Sequence, residues 1–427
     1  MALPQIKADA TKDRLIGMAM PACGAWATTA RQDALNRLIA MGLPHKRDEY
    51  WRYTDPALLV GAEVSPSEAL RTDTPIFMDK DKVRLIFVDG VFDADASDDP
   101  TLEGVEITRL VDAQAADVHW AQGLYGQLET AGQNPVDRPL AIMNTAFATD
   151  GVCLHVTGKP SKPLHISYRQ SSDASDVVLH HVVKLDAGTE LTLLETGTPG
   201  ARSNVVLEVD VADNATLHHV RPQGRAHNRA VATHLFARVG TEATLKSFTL
   251  AMNGKMTRNE FVADIIGDDA VVHVGGVCVG DGKDFHHDDT VFITHDALNG
   301  ESRQVFKKVL RNAATGVFQG KILVKAGAQK TDGYQISQSL LLDEDAQFLA
   351  KPELEIYADD VACSHGSTTG AIDETALFYL RSRGVPEQQA TTLLTLAFLA
   401  EALDEIADEA LAEELRDRLE GWLARHG

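Results

Sequence analysis

Cysteine is scarce: four copies in 427 residues, none at a CxxC or other zinc-binding spacing. Cys23, Cys153, Cys278 and Cys363 stand far apart, so neither a disulfide framework nor a local zinc knuckle is indicated, and a reducing, cytoplasmic compartment is expected. Cations are also in deficit. Forty Lys and Arg face sixty-two Asp and Glu, a formal net charge of −22, and such a surface repels phosphate backbones and anionic headgroups. Neither nucleic acid nor a membrane is therefore an expected partner. No apolar run reaches the ~18 residues of a membrane span, since the longest candidate, 393–400, is stopped by Glu401. The stretch 15–27 follows Lys7, Lys12 and Arg14 as a signal-peptide core would, but Asp9, Asp13 and Pro21 interrupt the pattern. Aromatics, at 6%, are few enough to favour aliphatic stacking over an aromatic-rich sandwich.

Motifs that define large enzyme classes are missing too. Gly316-Val317-Phe318-Gln319-Gly320-Lys321-Ile322 is one residue short between its glycines and has no Ser or Thr after the Lys to hold magnesium, so it is not a P-loop. Gly280-Asp281-Gly282 lacks the third glycine and the helix of a dinucleotide fingerprint. No GxSxG, HExxH or EF-hand string occurs.

What is present divides the chain into three regions: a mixed, partly helical 1–150, a β body at 151–372 and a helical 373–427. Residues 29–41 place Ala34, Leu35, Leu38 and Ile39 on one helical face, ended by Gly42 and Pro44. Residues 83–88 read as a strand, Asp89-Gly90 as a tight turn, and Val91-Phe92 as a return strand. From 151 the period falls to two. A turn recurs at 187–190, 212–215, 240–243 and 267–270, its last residues 25, 28 and 27 positions apart, and 343–346 reads as a fifth example about three periods on. A fixed period in this range marks a solenoid, so the expected fold is mainly β, a β-helix or rolled sheet whose coils cover one another's edges, with an antiparallel sandwich as the rival. After 373 helical periodicity returns. The centre of the second C-terminal helix, 393–400, is apolar almost all round, which predicts burial on more than one side, and the third carries Leu411, Leu415, Leu419, Trp422 and Leu423 on one stripe. The excess apolar surface either packs on the β body or receives a partner.

Histidine is the most suggestive residue type. His180-His181, His218-His219 and His286-His287 are adjacent pairs, but neighbours on a strand point to opposite faces, so the first two read as structural. The third, within His286-His287-Asp288-Asp289 and followed by His295, is the better metal candidate, although its spacing matches no His-x-His arrangement. In 357–366, strand alternation puts Asp359, Cys363 and His365 on one face. These are ligand types for zinc or iron, or else a small buried thiol beside a satisfied histidine. A Cys-His-Asp nucleophilic triad would also need a cleft and an oxyanion hole, and no string in the sequence identifies either. Asp343, Glu344 and Asp345 resemble the acid clusters of carbohydrate-cleaving β-helices, or form a solvated turn.

Several strings together resemble the SufB/SufD family of the SUF iron-sulfur cluster assembly machinery. They are Gly42-Leu43-Pro44, Glu49-Tyr50-Trp51-Arg52-Tyr53-Thr54, Phe87-Val88-Asp89-Gly90, and residues 316–321, 329–333, 351–366 and 377–384. The resemblance implies a right-handed parallel β-helix flanked by helical N- and C-terminal regions. It implies a non-enzymatic scaffold that pairs with a SufB-like paralogue and binds a SufC-like ATPase through its C-terminal helices, with a homodimer possible when alone. His365, in the SufD-type CSHG string, would hold iron or a nascent iron-sulfur cluster at the subunit junction, and Cys363 is a second candidate. A reduced flavin is implied for the assembled complex, at no residue that can be named. The alternative function is a β-helix enzyme acting on a carbohydrate polymer.

Overall fold

The computed structural model describes residues 3–69, 76–224 and 226–426. Its body consists of two sheets, of ten and nine strands, whose strands alternate along the chain: Glu190–Gly197, Thr216–Pro222 and Thr244–Met252 lie in the first, Arg202–Val211, Ala230–Val239 and Met256–Ile265 in the second. Within each sheet neighbouring strands pair in parallel, except at the start of the body. Ala230 faces Met256 and Thr315 faces Gln347, so one coil takes 26 to 32 residues. Side chains alternate across each strand, and one face of both sheets meets in a shared interior of Leu179, Leu207, Leu217, Leu245, Val272, Ile293 and their neighbours. This is a parallel β-solenoid.

The recurring turn has a physical reason. Asn214, Glu242, Asp269 and Asn299 all adopt positive φ, between 54° and 59°, and three of them are followed by a buried alanine, Ala215, Ala243 or Ala270. Asn and Asp tolerate that left-handed conformation, and a small residue then turns the chain inward. The turns stack. Asn214 N–H donates to Thr241 O, Glu242 to Asp268, Asp269 to Leu298 and Asn299 to Gln329, at 2.8 to 3.0 Å. The expected fifth turn belongs elsewhere: 343–346 joins Asp332–Leu341 to Gln347–Ile356, on the opposite corner, where Asp343 accepts the N–H of Asn312. The first series continues instead at Leu298-Asn299 and Gln329-Lys330. Both corners use Asp or Asn in a short turn, and composition alone does not tell them apart.

The two ends of the solenoid differ. At the start, Val83–Val88 enters the ten-stranded sheet and is covered by Val91–Phe92 in the expected tight hairpin, while Val105–Arg109 closes the other sheet antiparallel to Val152–Val156. At the finish, Gln347–Ile356 and Ala362–Gly370 are the last strands and have no outer neighbour among the described residues.

Each sheet's outer face is covered by helices. Ala25–Met41, ended at Gly42 with φ 69°, and Pro139–Phe147 pack on the nine-stranded sheet through Ala34, Leu38, Leu140 and Met143. Glu387–Leu403 and Glu409–His426 pack on the ten-stranded sheet, and Leu411, Leu415, Leu419, Trp422 and Leu423 are all buried there. Lys307, reaching out from that sheet, pairs with Glu401 at 2.5 Å and lies over the Phe398 ring. Burial of 393–400 on more than one side is not found. Thr395 and Leu399 face the sheet, whereas Leu393 is 45% exposed and Ala397 is exposed. Among the described residues no helix is long and apolar enough to cross a membrane.

Asn214→Val should destabilise the chain by about 1–2 kcal/mol, because a β-branched residue resists the left-handed conformation, while Asn214→Gly should be near neutral. Urea unfolding midpoints of the two variants check this.

Candidate functional site

The open end of the solenoid gathers strings that lie up to three hundred residues apart. Glu49–Trp51, a single 3-10 turn, is laid against the outer face of the last coils. Tyr50 OH donates to Glu353 at 2.6 Å, Lys351 pairs with Glu49 at 2.7 Å, and the Lys351 ammonium lies 4.0 Å from the centre of the Tyr50 ring. The Tyr50 carbonyl accepts from Arg258 at 3.0 Å and from Gln319 at 3.1 Å, and Thr54 donates to Asp288. Arg258 is fully buried between Glu260 and Asp288 and over Trp51, so its charge is matched on two sides. The N-terminal string is thus a clamp that fixes the final strands.

Those strands carry the predicted site. Residues 357–361 form the corner between Gln347–Ile356 and Ala362–Gly370, so Asp359 sits in an exposed turn and not on a strand face with Cys363 and His365. The alternation argument fails for Asp359 because the chain leaves the strand at Tyr357. Cys363 and His365 do share a face, about 7 Å apart along the strand. Cys363 packs with Ile322, Val324 and Leu354, above Gly333, where an added Cβ would come 3.1 Å from its Sγ. Burial pushes its thiol pKa up, which disfavours the thiolate a metal requires. His365 is exposed, and its ring has no hydrogen-bond partner among the described residues. It pairs in register with Gln335, which is buried and donates to Gln304 at 2.7 Å. Among the described residues no three His, Cys, Asp or Glu side chains are grouped to hold a metal. His365 therefore offers one free imidazole at the rim, and further ligands would have to come from outside the chain.

The two edges at this end are unequal. Gln347–Ile356 carries Lys351 and Pro352, residues that discourage further strand pairing. Ala362–Gly370, sequence ACSHGSTTG, has neither, so its backbone is free to pair with another strand.

The other candidates are structural. His180 is bound to Glu208 at 2.9 Å, while His181 faces the interior and bonds Tyr168 OH. His219 bridges Ser247 and Glu195, which Tyr168 OH also reaches at 2.6 Å. Burial holds the imidazole neutral, and these donors with Arg221 hold the Glu195 carboxyl below its usual range. In the third pair, His286 contacts Thr54, whereas His287 and Asp289 meet the Lys308 ammonium at 2.9 Å and about 2.5 Å. That cation stands where a metal would, and His295 is occupied by Ser302 at 2.8 Å. Asp343 accepts the N–H groups of Asn312 and Ala346, leaving it a turn-capping residue. The sequence reading had no means of finding the clamp from Tyr50, because a side chain meeting a strand three hundred residues away leaves no local pattern.

Comparison with known families gives two matches: "SUF system FeS cluster assembly, SufBD core domain" over residues 168–398, and "SufBD protein N-terminal region" over 21–163. The iron-sulfur cluster assembly protein SufD of Escherichia coli is 30% identical over 410 residues, 91% of each chain. An iron-sulfur cluster assembly SufBD family protein of Synechocystis is 27% identical, covering 90% of this chain and 89% of its own. SufD of Bacillus subtilis is 27% identical over 65% of each.

Because Cys363 is packed and its pKa raised, alkylation by iodoacetamide at pH 7.5 should be slower at Cys363 in the folded chain than in urea. The gap should narrow as pH rises and the thiolate forms. Peptide mass spectrometry after timed quenching measures both rates, and equal rates at pH 7.5 would contradict the packing.

Proposed function

The chain belongs to the SufBD family of SUF-system iron-sulfur cluster assembly proteins, and on that premise we propose that it is a non-enzymatic scaffold subunit working in the cytoplasm. It pairs with a SufB-like paralogue through the open end of its solenoid. The observation that carries this reading is the asymmetry of the ends: the first coil is closed by antiparallel strands, while the last exposes the unblunted edge of Ala362–Gly370 with His365 on it. A second β-solenoid adding a strand there would cover the edge and supply the ligands His365 lacks. Iron or a nascent cluster is then cargo, held by His365 and the partner. Cys363 contributes only if it leaves its apolar packing.

A SufC-like ATPase docks on the C-terminal helices. Glu374–Ser382 buries none of its residues, Phe378 and Tyr379 are 73% and 55% exposed, and Leu393 on the next helix is also exposed. These three side chains leave apolar surface exposed on the C-terminal helices. Motion of the docked ATPase reaches that sheet through the Lys307–Glu401 and His273–Glu405 contacts, and the open edge belongs to the same sheet.

Co-expression with a paralogous solenoid subunit and a P-loop ATPase, followed by native mass spectrometry, should recover all three chains. His365→Ala should leave that assembly intact and abolish iron retention. Leu393→Asp, at an exposed position, should lose the ATPase while keeping the paralogue and the wild-type unfolding midpoint. A lone chain recovered in every case would overturn the scaffold reading.

A further inference from the structure

Far from the open end, between the outer face of the first coils and the last helix, lies a cavity of about 320 Å³. Lys82, Arg84, Arg169 and Arg418 line it, and no aspartate or glutamate is among its described lining residues. In a chain of net charge −22 such a concentration of positive charge is anomalous. Parallel pairing explains how it forms. Arg84 faces His165 in register, and His165 and Arg169 lie on the same outward face of Leu164–Arg169, so alternation aligns all three. Glu409–His426 adds Arg418 from above.

Arg84 is held by Asp98 through a bidentate pair at 3.0 and 3.2 Å, and Lys82 donates to the carbonyls of Phe77 and Lys80. Arg169, by contrast, makes no ion pair among the described residues. His165 is only 4% exposed. Its Nε2 lies 2.7 Å from Thr196 Oγ1, while its Nδ1 is buried with no partner among the described residues. Ile76, Met78, Ile86 and Met252 give the cavity an apolar stretch of wall, beside the polar Ser167, Thr196 and Gln223.

The geometry points to a binding site for a small phosphate-bearing molecule with an apolar body. Its phosphate sits beside Arg169 and Arg84, and its body against Met78 and Met252. Guanidinium forks match phosphate oxygens, and the cavity lies within the volume range of small-molecule sites. This assignment is independent of the role proposed for the open end.

The test titrates phenyl phosphate and inorganic phosphate into the full chain, following ³¹P line width. Phenyl phosphate should bind about tenfold tighter than inorganic phosphate, and Arg169→Glu, at an exposed position, should weaken it about tenfold or more. Lys283→Glu makes the same charge change in a distant exposed turn and should have no effect. Absence of phenyl phosphate binding overturns the proposal. So does equal weakening by Arg169→Glu and Lys283→Glu, which would reveal only the overall field, or equal affinity for the two phosphates, which would remove the apolar body.

Discussion

A parallel strand needs a neighbour on each side, and in this chain every coil provides one for the next. The ladder of the ten-stranded sheet continues from Val83–Val88 to Ala362–Gly370 and then stops, leaving that edge, like the Gln347–Ile356 edge of the other sheet, with no strand partner among the described residues. The rest of the architecture follows from that constraint. The first coil is closed by short antiparallel strands, and both broad outer faces are sealed by helices. The final coil is stiffened by the Tyr50 clamp and yet left open. An edge held rigid and uncovered is suited to receiving another chain, since little ordering entropy remains to be lost on pairing.

The polar content of the interior fits the same logic. Glu195 meets His219 one coil away and Asp289 meets Lys308 across to the other sheet, so these buried polar pairs tie neighbouring coils and the two sheets together as well as offsetting their own desolvation. The Glu195 carboxyl is held below its unfolded range. Its contribution is therefore fully present above the ordinary carboxylate pKa and lost as pH falls through the lowered folded value. Acid should loosen the middle coils before it alters the aliphatic stack at their flanks.

Much of the architecture was legible in the sequence, because solenoid turns and helix stripes are local patterns. The period of 25 to 28 residues and the stripe from Leu411 to Leu423 both correspond to elements of the structure. The turn at 343–346 was placed on the wrong corner, since Asp and Asn serve left-handed turns on either side of a coil. Asp359 was assigned to a strand because alternation continues on paper through a corner that the chain makes at Tyr357. Residues 393–400 looked buried all round because sequence cannot distinguish an apolar face turned to the core from one left for a partner. His365 could be singled out from the CSHG string, but the clamp at Tyr50 and the cationic cavity could not. Their residues are brought together by coil stacking across gaps of eighty to three hundred positions.

The central claim, that the edge of Ala362–Gly370 is the docking surface, is tested most directly by amide hydrogen exchange with and without the paralogous subunit. At dilutions where the chain is monomeric, amides of 362–370 that face away from Asp332–Leu341 should exchange rapidly. They should slow by about tenfold or more in the complex, while 83–92 stays unchanged. Protection confined to the closed end, with 362–370 unaltered, would contradict the account.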